Sequence, residues 1–327
     1  MGSGPWGMKA YALFCLLVLT PSLPAEAGAI DQAVQIYQRG QFHMAVDLLS
    51  ARSQSSPEDA EVRLWLGKSL LKIQRWDDAV RQMEKAVELE PNNVVHHLWL
   101  GRTYGARASH ASFLTAMGWT KKVVNAFEIA RKLAPDDIDV RFDLMDFYLH
   151  APDAVGGGQD KAEAEAAAIA KLSPSEGYTA RALVLEKDKK WDQARSELVQ
   201  ATLQFPGRAD AFMDLADFLL RRDLFEGAAT SARKALSLDA NLLKAKLILA
   251  AAQIRLGKDL AEAENSLKSM SQGPLTDDDP AFEEVYCWLG QAYLAEGKKL
   301  QAREAFSTAL RYNPDYDGAK SGLSQAR

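Results

Sequence analysis

The chain is poor in cysteine, with two in 327 residues, Cys15 and Cys287. A disulfide-stapled scaffold and a four-cysteine zinc site are therefore excluded. Positive charge is also in short supply: 39 Lys and Arg stand against 44 Asp and Glu, for a net charge of -5. Capture of nucleic acid by bulk charge is not expected of such a chain. Catalytic signatures are missing as well, since no Gly-x-Ser-x-Gly or His-Glu-x-x-His occurs. Adjacent His96 and His97 would point about 100° apart on a helix, and His43, His110 and His150 fall in separate segments. No metal, no cofactor and no enzymatic activity is expected.

Long apolar runs are absent except at the start. Ala10–Leu19 is almost purely apolar, Lys9 precedes it, and Pro21 and Pro24 follow. That run is about half the roughly 20 residues a membrane span needs. Ala25-Glu26-Ala27 fits the small-x-small pattern of a signal peptidase site, so residues 1–27 are expected to be a cleavable signal. The mature chain would then be periplasmic or secreted, with no stable membrane span. Cleavage would leave Cys287 alone inside Val285-Tyr286-Cys287-Trp288-Leu289, where a buried, inert thiol is expected.

Repetition is what the chain has in abundance. Trp-Leu-Gly occurs at 65–67, 99–101 and 288–290, and the first two copies lie 34 residues apart. Around Gly67 stand Leu70, Ala79, Met83, Ala86 and Pro91. The same offsets give Tyr293, Ala302, Phe306, Ala309 and Pro314 after Gly290, and Leu185, Ala194, Leu198, Ala201 and Pro206 after Ala182. A small residue on one helix lets its partner approach to about 8–10 Å, apolar residues three or four apart form the buried stripe, and proline stops the second helix.

This pattern resembles the tetratricopeptide repeat family over nearly all of the mature chain. The resemblance implies an all-α, right-handed superhelical solenoid of about eight helix-turn-helix repeats over 28–316, with a partial capping helix at 317–327. Combined with export, it is similar to bacterial envelope-type members.

Two insertions depart from the generic repeat. The first, an extended hairpin around 105–122, carries Phe113, Leu114, Met117 and Trp119, which are expected to close the longer hairpin. The second, 151–161, holds Gly156, Gly157 and Gly158, with Asp160 expected to cap the following helix.

In stacked helix pairs the first helix lines the concave side. The candidate partner-binding groove is Leu64, Trp65, Lys68, Lys72, Leu98, Trp99, Arg102, Arg141, Phe147 and Tyr148, basic with aromatic walls. Further along, Glu176, Glu186, Asp210, Asp214 and Asp217 turn the stripe acidic. Family members that hold chaperone C-termini place Lys and Asn where Leu64, Lys68 and Trp99 stand here, so that ligand is not implied. The expected function is a scaffold that binds a protein or peptide through its groove, in cell-envelope assembly or secretion. Two other readings stay open at this point. One is an accessory enzyme or ligand-binding protein with a polar pocket where the insertions meet; the other is a structural spacer.

Overall fold

A computed structural model describes residues 27–327 of the chain, and the signal-like segment 1–26 lies outside the described residues. Among those described there are seventeen α-helices, one short 3-10 turn and no strand. The helices come in pairs: α1 (Ala27–Gln38) with α2 (Phe42–Ser55), α3 (Ala60–Lys72) with α4 (Trp76–Leu89), and α5 (Val94–Ser109) with α6 (Phe113–Leu133). Next come α7 (Ile138–His150) with α8 (Gln159–Leu172), α9 (Pro174–Lys187) with α10 (Trp191–Gln204), and α11 (Ala209–Arg221) with α12 (Phe225–Leu238). The last are α13 (Leu243–Leu256) with α14 (Leu260–Gln272) and α15 (Phe282–Ala295) with α16 (Lys299–Tyr312), followed by α17 (Asp317–Gln325). Helices pack on their neighbours in the chain, and the first helices of most successive pairs also touch. The architecture is the expected solenoid of eight pairs and a cap.

Local sequence sets the helix ends. Asp59, Asn93 and Asp137 accept hydrogen bonds from the first backbone N–H groups of α3, α5 and α7. Pro57, Pro91 and Pro135 stand just before these caps and just past α2, α4 and α6. Gln74, Lys189 and Asp223 hold positive φ in the turns inside their pairs, as Gly40 and Gly297 do in the first and last pairs.

Within a pair, small faces large. A Cβ on Gly101 would lie 2.4 Å from the Phe127 ring, and one on Gly290 would lie 2.6 Å from Phe306. Counting back eight residues from the closing proline finds Met83, Phe127 and Phe306, and in the fourth pair Ala166. There Met145 takes the glycine's place, and both residues are buried in one cluster. Bulk has moved from one helix to the other, which keeps the filled volume roughly constant.

The solenoid also closes on itself. One cluster of buried apolar residues joins α1–α4 to α13–α16. The Phe42 ring lies 6.3 Å from Phe282 and 6.0 Å from Tyr312. Gly40, at φ +72°, sits so near Tyr312 that a Cβ would be 2.8 Å from its hydroxyl. The Leu275 N–H donates to the Gln38 carbonyl at 2.7 Å. Segment 273–281 is the seam of this closure. At the far end α17 covers Phe306 and Cys287. The Cys287 thiol is buried, and burial followed by the nearby Glu284 pushes it up to about 11, which leaves it inert.

Phe306 is fully buried and anchors both the last pair and the cap. Phe306→Ala is expected to lower unfolding stability by about 3–5 kcal/mol, measured by urea titration of the mature chain.

Candidate functional site

The concave wall follows from one count. Pro57 to Gly67, Pro91 to Gly101 and Pro280 to Gly290 are each ten residues, and ten from Pro135 is Met145. That register turns Phe142, Asp146 and Leu149 of α7 inward. The expected groove members Arg141, Phe147 and Tyr148 belong instead to the packing face of α7, which corrects the sequence assignment. Phe147 and Tyr148 are buried, with Tyr148 Oη donating to the Glu128 carboxylate. Arg141 is paired with Glu165 of α8 at 2.5 Å. Met145 at the glycine position hid this register, and the proline count was the signal that would have revealed it.

The expected residues of α3 and α5 do come together, but not as an open surface. Lys68 is 6% exposed. Its ammonium lies 3.9 Å from the Trp65 ring centroid, 4.3 Å from that of Trp99 and 5.8 Å from that of Tyr37. Its ion-pair partner is Asp277, in the segment between α14 and α15. Tyr37 donates to the same carboxylate at 2.6 Å. Burial lowers the Lys68 pKa, and Asp277 opposes that fall. Leu64 and Leu98 are buried beneath this cage, while Lys72 borders Phe42 at 6.0 Å. Arg102 leans on Trp99 and reaches Asp143 of α7 at 2.6 Å. The basic, aromatic half of the groove is thus filled by the chain's own acid.

The open half is the acidic one. A cleft of about 640 Å³ lies between α7, α9 and α11, with Phe142, Leu149 and Leu183 as apolar walls, Asp143, Asp146 and Glu186 as acids, and Lys187, Lys189, Arg221 and Arg222 on its rim. Arg221 on α11 pairs with Glu186 across it. Beyond the cleft stand Glu176, Asp210, Asp214, Asp217 and Glu284. Burial, a hydrogen bond with Asp210 and repulsion from Asp214 and Asp210 raise Glu176 to about 7. Burial raises Asp214 even though Thr179 donates to it at 2.7 Å, and burial plus Asp217 raises Glu284. Sequence reasoning noted this acidic stretch but did not choose it, because nothing local says that the basic half is occupied.

The second insertion meets α6 through an apolar contact. Val155 is buried, and Gly156 lies against Val124 of α6. Gly157 runs so close to the Ala151 carbonyl that a Cβ would be 1.8 Å from the oxygen. Asp160 stands in the first turn of α8, and Gly158, not Asp160, is its N-cap. In the long hairpin Trp119 packs on Tyr104 and His110 stacks on Trp76. Phe113 and Leu114, expected to help close it, are instead 81% and 82% exposed. Among the described residues no group of three His, Cys, Asp or Glu is placed to hold one metal ion, and no helix is long and apolar enough to cross a membrane.

Comparison with known proteins agrees with the fold. One tetratricopeptide repeat model matches residues 60–93 and 283–316, and a second matches 179–242. The structure is similar to yeast Tom70 over 88% of this chain and 58% of that one, at 19% identity and a TM-score of 0.59. A tetratricopeptide repeat protein of Parabacteroides merdae matches over 92% of this chain and 98% of its own, at 14% identity and a TM-score of 0.45. A stretch of 82 residues, 25% of this chain, is 37% identical to the protein O-mannosyl-transferase Tmtc2 of Drosophila melanogaster and spans 8% of that protein. The chain therefore covers little more than half of Tom70 and a small part of Tmtc2. The repeats over 60–93, 179–242 and 283–316 match tetratricopeptide repeats, and proteins built from them generally mediate protein–protein interaction.

Glu176→Gln removes a carboxyl whose folded pKa of about 7 lies above its ordinary 4.5. Below pH 4.5 the proton is bound in both folded and unfolded states, and the group costs nothing. The cost of ionising it in the fold grows between pH 4.5 and 7 and is complete above. The variant is expected to match the parent at pH 4 and to exceed it by about 1 kcal/mol at pH 8, allowing for solvent screening. Urea titrations at the two pH values check this.

Proposed function

We propose that this chain is an exported scaffold that holds a segment of a partner protein in the acidic half of its concave face. The segment it suits carries Lys or Arg beside an apolar side chain. One observation supports this reading above the others: an open cleft with the apolar walls Phe142, Leu149 and Leu183 adjoins carboxylates that burial and mutual repulsion hold above their ordinary pKa. Eight acids stand in and beside the cleft (Asp143, Asp146, Glu176, Glu186, Asp210, Asp214, Asp217 and Glu284) with seven cations (Arg102, Lys187, Lys189, Arg208, Arg221, Arg222 and Lys244), and the acids beyond the cleft are the crowded ones. A cationic segment relieves that repulsion and gains charge-assisted hydrogen bonds. An extended peptide of several residues fits a cleft of this size.

The test uses a photo-crosslinking side chain at Leu183 in the cleft, with Ala167 on the exposed face of α8 as control. Envelope extract at pH 8 is expected to give a protein crosslinked at a Lys- or Arg-containing segment from Leu183 and not from Ala167. The doubly substituted Asp146→Lys, Asp217→Lys chain is expected to lose it. Yield should fall between pH 8 and pH 6, because Glu176 gains a proton in that range and must give it up to pair with a cation. Equal crosslinking at both positions, or survival of the crosslink in the charge-reversed chain, would overturn the reading.

Export to the periplasm or beyond is the second part of the proposal, and the signal pattern of residues 1–27 is its support. N-terminal sequencing of the protein from fractionated cells is expected to begin at Gly28. Recovery of the intact N-terminus in the cytoplasmic fraction would sink it.

A further inference from the structure

Segment 273–281 carries Leu275-Thr276-Asp277-Asp278-Asp279, and it is held in place by a short set of contacts. Leu275 is buried in the seam, and its N–H donates to the Gln38 carbonyl at 2.7 Å. The Thr276 N–H and hydroxyl both donate to Asp279 at 2.8 Å, which folds the segment into a turn. From that turn Asp277 enters the aromatic cage and meets Lys68 and Tyr37. An apolar seat, a backbone acceptor and a caged cation are contacts open to any Leu-x-Asp segment that takes up the same turn.

We propose that this segment is an internal ligand, which occupies a binding site for an acidic segment of a partner protein and yields to it. The cage explains why something must always be there. Lys68 is 6% exposed between Trp65 and Trp99, so without a carboxylate it becomes a buried, uncompensated charge. Lys72 and Arg102 approach Lys68 closely enough to oppose its charge, which raises the demand for an acid. A buried ion pair adds little net stability of its own, because desolvation cancels most of the attraction. What favours the chain's own acid is tethering, which keeps it at high effective concentration. A partner carrying several acids and an apolar residue in the same spacing overcomes that advantage. Exchange also opens the seam, since Leu275 and Asp277 leave together. The site lies in the basic half of the groove, apart from the cleft assigned above to a basic segment, and neither assignment depends on the other.

The probe is a fluorescent synthetic peptide copying residues 273–282, with the same peptide bearing Asp277→Ala as control. Titrated into the mature chain carrying Asp277→Ala, the acidic peptide is expected to bind at least tenfold more tightly than to the parent, and the control peptide is expected to bind neither. Asp277→Asn, which keeps the side-chain volume, serves if the alanine chain does not fold. A second readout needs no variant. Excess acidic peptide is expected to speed hydrogen exchange of the Leu275 amide in the parent, because its bond to Gln38 is released, and the control peptide should leave it unchanged. Equal affinity for parent and variant, or a Leu275 amide indifferent to saturating peptide, would overturn the proposal and make the segment a structural seam alone.

Discussion

A helix pair of this kind buries one face within itself and leaves another apolar face that only a further pair can cover. Every feature of the molecule follows from that need. It sets the repetition, because each pair must present to the next the shape it received from the one before. It also sets the exchange of bulk within pairs. Gly101 against Phe127 and Gly290 against Phe306 put the large side chain on the second helix, whereas Met145 and Ala166 put it on the first. The two ends of the stack are the remaining difficulty, and they are solved differently. The last pair is covered by α17, whose Ala319 and Gly322 are small enough to lie on Phe306. The first pair is covered by the last, through Phe42, Phe282 and Tyr312.

Closure has an electrostatic consequence that packing alone would not require. The seam brings the acids of segment 273–281 to the cations of α3, and a lysine that would otherwise project into the groove becomes a buried group inside an aromatic cage. The concave face is thereby divided. Its basic half is satisfied internally, and its other half has an open cleft beside carboxylates that burial and repulsion raise. Charge that looks evenly distributed along the chain, at a net of -5, is in the fold segregated into a sealed part and an unsatisfied part.

How much of this could be read from the sequence depended on distance along the chain. Helix pairs, caps and the small-to-large contacts come from offsets of fewer than thirty residues, and the repeat count of eight with a capping helix was legible for that reason. The register of α7 was legible in principle, since the count of ten from Pro135 is intact, but the missing glycine drew attention to the wrong face and to Arg141, Phe147 and Tyr148. Lys68, Trp65 and Trp99 were correctly grouped, because they are positions of adjacent first helices. Their occupant was not legible at all, since Tyr37 and Asp277 meet across a separation of 240 residues and nothing local marks that pairing. The long hairpin was half legible: its helical extension follows from composition, but α6 runs beyond any helix able to cover Phe113 and Leu114.

The division of the groove also argues about where selectivity resides. In a uniformly charged groove any partner of opposite charge would gain from every pair it met, and discrimination would be poor. Here the two halves ask for opposite chemistries at different thresholds. The acidic half needs only a cation to relieve carboxylates that already repel one another, so its occupant competes with water and protons. The basic half is held by a tethered acid with its own apolar anchor, so an occupant there competes with the chain itself. A partner with a basic segment engages without disturbing the closure, whereas one with an acidic segment must open it, and only the second kind of contact reaches both ends of the solenoid at once.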